Sequence, residues 1–312
     1  MPDRPDSAAL DSRGLAFAFG AYFLWGSFPL YFEALSAAGA FEIIGHRVFW
    51  TFVFCLAGVL VWREWRHLRE VLANCRLFWG LTGAGFLVTL NWSIYVWGVL
   101  NDHIVDAALG YFINPLVTVT LAVVVLHERL RTAQKLALGV GSLAVVVIAV
   151  GYGQIPWVAL SLAASFGLYG LVKKQVGGRV TPLVGLTIET AILAPVALAF
   201  LVWLQVSGTS NYLAHGPGLT IGLSLAGVVT AIPLLLFAAA SARIPLSMMG
   251  LIQYLTPLIQ FSIGVWVNHE AMPTSRWIGF GLVWVALIVL TLDSLRNARR
   301  PAELVGDPEV MN

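Results

Sequence analysis

Two ionisable residues of opposite charge, Arg47 and Glu189, stand inside long apolar stretches of the chain. Ionisable groups are costly in hydrocarbon, so each is a functional candidate by default. Arg47 lies roughly six residues, or ~9 Å, from one end of its stretch, and Glu189 lies ~10 Å from the opposite end of another. A shift of 142 residues maps one onto the other. Two readings of this pair stay open: a substrate or proton site that changes partners during a cycle, or fixed polar locks between helices. His46, beside Arg47, titrates near neutral pH when unperturbed, and it joins the pair as a coupling or gating candidate. Asp106 is a further one, because it opens the helix that carries Tyr111, Asn114 and Pro115. Glu33 and Glu42 also fall near helix ends, where capping is the ordinary role.

A second group could bind a small molecule. Asn91 and Asn114 lie deep in apolar runs, and Gln253, Tyr254 and Thr256 precede Pro257. Pro115 and Pro257 each remove a backbone donor and leave a carbonyl one turn earlier without its partner. At membrane depth such groups are tolerated where they face protein or a wet cavity. Trp25 and Tyr169 occupy corresponding first helices of the two halves, at an offset of 144. The candidate substrate-binding set is Trp25, Asn91, Tyr95, Tyr111, Asn114, Tyr169, Gln253 and Tyr254. Plain packing is the competing account for each aromatic taken singly. The pairs His127-Glu128 and His269-Glu270 invite a metal reading, but "HERLR" and "HEAMP" are not HExxH, and a structural role at a helix end is expected.

The elements that must position these residues follow from composition. Of 312 residues 59% are hydrophobic and 11% charged, against about 25% charged in soluble domains. Ten runs are long enough to span: roughly 14–35, 41–62, 77–100, 104–126, 133–152, 155–173, 182–205, 217–241, 245–267 and 274–295. Placing the first tail in the cytoplasm and alternating puts 16 of the 18 Lys and Arg residues, Lys173 among them, on the cytoplasmic side, with Arg276 outside and Arg47 within a span. That asymmetry fits the positive-inside rule and predicts two cytoplasmic termini. Trp62, Trp65 and Trp79 on one face, and Trp157, Trp203 and Trp266 on the other, read as interfacial anchors. Gly80, Gly83, Gly85, Gly218 and Gly222 are expected to allow close helix packing. Cys55 and Cys75 form no CxxC and imply no disulfide framework.

At the 142-residue offset Gly85 falls on Gly227, Pro115 on Pro257, Gly139 on Gly281 and His127-Glu128 on His269-Glu270. Five helices per unit is an odd number, so the second unit must insert upside down. The expected fold is an all-α polytopic membrane protein of ten transmembrane helices in two inverted five-helix repeats. Residues 14–152 and 153–295 form the repeats, 1–13 a cytoplasmic tail, and 296–312 a cytoplasmic, disordered tail. Inverted repeats with a midplane site mark many secondary transporters.

The stretches "AYFLWGSFPLYF" (21–32), "EIIGHRVFW" (42–50), "NWSIYVWGV" (91–99), "ALGYFINPLV" (108–117), "HERL" (127–130), "SFGLYGLVKK" (165–174), "IET" (188–190) and "LIQYLTPLIQF" (251–261) resemble the drug/metabolite transporter superfamily, in particular its EamA-type, RarD-like branch. The resemblance runs through nearly the whole chain. It implies ten helices, a central cavity, and export or exchange of small metabolites without ATP, in a bacterial inner membrane. Amino acids and amphipathic drugs are candidate substrates. The alternative is a membrane receptor, or a channel-like facilitator without coupled transport. The chain lacks GxxxxGK[ST], so no ATP site of that kind is expected. Nor is any cofactor, metal, enzymatic activity or nucleic-acid partner. The expected partners are a small-molecule substrate, membrane lipid and, as a candidate coupling ion, the proton. Monomer and homodimer both remain compatible with the sequence.

Overall fold

The computed structural model describes residues 11–126, 132–176, 179–241, 243–244 and 246–298, and all the regular structure among them is helical. His127-Glu128 and most of both tails lie outside the described residues.

Each apolar run is helical, but several are broken where the sequence removes a backbone donor. α1 (Ser12–Gly26) starts on Asp11, whose carboxylate accepts from the Arg13 and Gly14 N–H groups, a normal N-cap. It ends at Ser27, and Pro29 restarts the chain as the short α2 (Phe28–Glu33). Proline is favoured at such first-turn positions, where its missing N–H costs nothing. The same device divides the seventh run into α9 (Pro182–Ala191) and α10 (Ala194–Val206), with Pro195 at the start of α10 and a bend of 51°. In the ninth run, α12 (Leu246–Ile252) and α13 (Leu255–Ser262) part at Gln253–Tyr254. Pro257 cannot bond the Gln253 carbonyl, which accepts from Thr256 N instead (3.3 Å). A π-helical turn, Ile263–Val267, finishes the run.

The remaining long helices are α3 (Gly39–Val61), α5 (Cys75–Leu100), α6 (Ile104–Leu126), α7 (Thr132–Tyr152), α8 (Trp157–Val176), α11 (Gly216–Ser241) and α14 (Thr274–Ala298). Among the described residues seven helical segments are long and apolar enough to cross a membrane, or eight if the bent α9–α10 pair is one span. The other two runs are the interrupted α1–α2 and the shorter apolar part of α8, Trp157–Lys173. Phe41, Val61, Val150 and Val206 are exposed, as the lipid-facing side of such a bundle requires. The chain is a multi-pass membrane protein.

One helix has no counterpart in the expected spans. α4 (Trp65–Ala73) buries Leu68 and Val71 while Arg66 and Arg69 stay exposed. This is the amphipathic pattern of a helix lying in an interface.

The most extensive packing crosses between the two halves of the chain. α5 and α6 lie on α8, α11 and α13 lie on α1, α3 lies on α9, and α7 lies on α14. Two glycines make the closest backbone approaches. A Cβ on Gly85 would collide with the Glu189 carbonyl, and one on Gly227 with the Trp50 carbonyl. Gly222 lies against the Leu35 side chain, whereas nothing lies within 4 Å of the Gly83 and Gly218 positions, which therefore mediate no close packing here.

Candidate functional site

Arg47 projects from the third turn of α3 and is 3% exposed. Its Nε donates to Thr230 Oγ1 of α11 (3.0 Å). The centre of its guanidinium stands over three rings, Trp92 at 4.3 Å, Phe32 at 5.1 Å and Phe28 at 5.4 Å. Phe28 and Phe32 are one helical turn apart on α2, so both reach the same point. The Nη1 atom is enclosed and has no acceptor. Cation–π contacts offset about 0.5–2 kcal/mol each, while an unpaired buried ion costs several kcal/mol. The rings therefore soften the cost of this charge without supplying a counter-charge.

Beside it lies a polar and aromatic cluster from α5, α6 and α8. Asn91 donates through Nδ2 to the Leu162 carbonyl (3.1 Å) and to Ser165 Oγ (3.0 Å). Its Oδ1 accepts from the Tyr111 hydroxyl (3.3 Å). Tyr95 packs on Phe32 and Tyr111, with ring centroids 6.1 and 5.8 Å apart. Asn114 Oδ1 is buried without a partner among the described residues, and the buried Tyr95 hydroxyl lies beside the Gln260 side chain. Tyr31, Tyr95 and Tyr111 are all within electrostatic range of the guanidinium.

Glu189, on α9, is 1% exposed and fully engaged. Lys173 Nζ of α8 donates to its Oε1 (2.6 Å), and the Tyr169 hydroxyl donates to Oε2 (3.2 Å). Arg47 and Glu189 make no ion pair; each is held by its own neighbours. Lys173, which charge counting assigns to the cytoplasm, turns back to the buried carboxylate, and its side chain is 32% exposed.

A third network ties together the end of the bundle where α2, α5 and α10 finish and α3, α6, α11 and α14 begin. Asp106 accepts from Arg276 Nη2 of α14 (2.9 Å) and lies 2.8 Å from His103 Nδ1. Glu270 accepts from the N–H groups of Ile104 (2.5 Å) and Val105 (3.0 Å), satisfying donors that a helix start leaves over. The expected helix-end role of the second His-Glu pair thus falls to Glu270. Glu42 accepts from the Asn211 and Tyr212 N–H groups and from the hydroxyl of Ser210 (2.8 Å). Glu33 accepts from Asn268 Nδ2. His46 Nδ1 accepts from Trp50 Nε1 (3.3 Å), and its ring stacks on Tyr212 at 4.6 Å.

The structure therefore gathers Asn91, Tyr95 and Tyr111 near Arg47, and pairs Tyr169 with Glu189. Trp25 borders the cluster of Phe28, Phe32 and Tyr95, with its ring on Tyr22 and Phe237. Two residues of the expected set lie elsewhere. Gln253 is exposed at the α12–α13 break, and Tyr254 packs in the cluster around Phe280 and Leu287 of α14. Phe28, Phe32, Trp92, Thr230 and Lys173 surround Arg47 and Glu189 but escaped sequence reading. Trp92 adjoins Asn91, and Phe28 and Phe32 have turn spacing, so a signal existed for them. None existed for Thr230. Clefts of about 230 and 200 Å³ flank the N-terminal end of α3 and do not include Arg47. Among the described residues no cluster of three His, Cys, Asp or Glu could hold a metal ion.

Residues 12–150 match the family model described as the EamA-like transporter family. Protein RarD of Streptomyces exfoliatus is 49% identical, over 92% of this chain and 90% of its own length. Protein RarD of Escherichia coli (strain K12) is 36% identical over 93% and 98%. The Bacillus subtilis (strain 168) protein called Uncharacterized transporter YojE is 38% identical over 92% and 96%. A solved crystal structure of an 18% identical chain superposes with a TM-score of 0.58, covering 93% of this chain and 99% of that one, a likeness of fold.

Proposed function

Because this chain belongs to the EamA-like transporter family, in the RarD-like branch of the drug/metabolite transporters, we propose that it is a secondary transporter, exporting or exchanging a small metabolite by alternating access between two inverted five-helix halves. The observation that carries this reading is the position of Arg47. It is a buried cation reached by α2, α3 and α5 of one half and by Thr230 of the other, where a bound molecule would touch both. Residues 14–152 and 153–295 are the two halves, and ten helices span a bacterial inner membrane with both termini in the cytoplasm.

The packing supports two corresponding halves. α5 on α8 corresponds, with the halves exchanged, to α11 on α1, and α6 on α8 corresponds to α13 on α1. The close approaches at Gly85 and Gly227, which are 142 residues apart, are exchanged in the same sense. In this orientation the Asp106–Arg276, Glu270, Glu42 and Glu33 contacts lie on the outer side and hold it closed. Opening outward requires that they separate, which gives Asp106 its gating role, while His46 stands between Glu42 and Arg47 on α3.

The test is counterflow in proteoliposomes of the full chain. Vesicles preloaded with an unlabelled metabolite mixture should transiently accumulate a labelled member of it, with saturation. Uptake that rises linearly with concentration and shows no overshoot would assign a channel-like facilitator instead. No uptake of any member would leave a receptor as the better reading.

A further inference from the structure

Among the described residues the buried charges are satisfied with one exception. Glu189 has Lys173 and Tyr169, Asp106 has Arg276, Glu42 has two backbone N–H groups and Ser210, and Glu270 has the first two N–H groups of α6. Arg47, more buried than Asp106 or Glu270, has a neutral hydroxyl and three rings. No carboxylate pairs with it among the described residues, and its Nη1 is enclosed without an acceptor. The hydroxyl of the neighbouring Tyr95 is likewise buried, beside the Gln260 side chain.

We propose that the missing partner is the substrate: Arg47 binds the acidic group of a small organic monoanion, a carboxylate on an apolar or aromatic body. This deepens the transporter reading and rests on it. A guanidinium presents N–H donors in a planar fork that matches a carboxylate, and contacts over aromatic faces leave that fork free. Thr230 takes only Nε, so the Nη edge is available. The Tyr95 O–H is a second donor for the same anion. Phe28, Phe32, Trp92 and Tyr111 supply an apolar, aromatic wall for the rest of the molecule. A dianion such as a phosphate monoester is disfavoured, because Arg47 supplies a single positive charge and Lys173, the cation of the other buried group, is engaged by Glu189. Organic cations are excluded by repulsion from Arg47.

The experiment compares matched probes on the purified full chain: phenylacetate and hexanoate, their amides, and phenethylamine. Binding is read as thermal stabilisation and as quenching of tryptophan fluorescence, which Trp92 should report. The acids are expected to bind more than about tenfold tighter than the amides, as loss of a hydrogen-bonded charge implies. Arg47→Gln should remove that preference, and Arg47→Lys should keep part of it. Should Arg47→Gln fail to fold, Tyr95→Phe serves in its place; it should weaken the acids several-fold and leave the amides unchanged. Equal binding of acids and amides, acid binding unchanged in Arg47→Gln, or no binding of either acid would overturn the proposal. Counterflow separates this from the broader reading. Acid binding without flux would support the anion site while removing the transporter. Flux of neutral solutes that is insensitive to Arg47→Gln would do the reverse.

Discussion

Arg47 and Glu189 were both legible in the sequence, because a charged residue inside an apolar run cannot be hidden. Their partners were not. Lys173 was counted with the cytoplasmic bases, since the positive-inside rule reads position along the chain and not the direction in which a long side chain turns. Thr230 lies 183 residues from Arg47 in an apolar helix where threonine is unremarked. The Glu189–Lys173 pair makes an asymmetric prediction. Removing Lys173 by Lys173→Met strands a carboxylate that is 1% exposed, and breaking such a pair costs about 3–5 kcal/mol. Glu189→Gln leaves an ammonium whose side chain is 32% exposed and can turn toward water. Glu189→Gln should therefore be milder, and adding it to Lys173→Met should recover part of the loss. Unfolding of the three variants in detergent measures this. A Glu189→Gln protein less stable than Lys173→Met would show that the carboxylate is not the costly member.

Helices were easier to read than their interruptions. The apolar runs located the long segments, but Pro115 and Pro257 read alike in the sequence although α6 continues through Pro115 and a break adjoins Pro257, and the interfacial α4 was missed because a nine-residue segment with three charges carries too weak an apolar signal. At this scale the start of α6 is the most informative element, since its first N–H groups depend on Glu270, which is 166 residues away. Glu270→Ala removes both acceptors and should cost about 1–2 kcal/mol, the range for a lost N-cap. Burial pushes the Glu270 carboxyl above its ordinary value of 4.5, against the pull of the two N–H donors and Arg276. With a raised value the folded state holds the proton more tightly than the unfolded chain does. The stability this adds is present below pH 4.5 and is lost as pH rises through the raised value. The difference in melting temperature between wild type and Glu270→Gln should therefore shift against wild type as pH rises from 4.5. A difference that does not change with pH would contradict this account.

For the whole molecule, the 142-residue repeat is readable because Gly and Pro recur at one offset, where backbone geometry leaves little choice. Gly85 and Gly227 show that constraint directly, as each allows a facing carbonyl to approach. Gly85→Val and Gly227→Val should each destabilise the bundle by about 1–3 kcal/mol, the cost of overpacking. Gly83→Val, where nothing lies within 4 Å, should have little effect; equal losses in all three would remove the argument. The repeat says nothing about the energy source, but the unpaired Arg47 does. If the cargo is a monoanion, a complete cycle returns the empty carrier and moves one net negative charge. An inside-negative membrane then favours export by about 2.3 kcal/mol per 100 mV, roughly a fiftyfold concentration ratio. One-for-one exchange of two monoanions moves no net charge and is indifferent to the potential. Net efflux of phenylacetate from proteoliposomes should therefore accelerate when a potassium gradient with valinomycin makes the lumen negative, while phenylacetate exchange should not. Net efflux that ignored the potential but followed a proton gradient would mean that a proton leaves with each anion, and would move the search for coupling to His46 and Glu42.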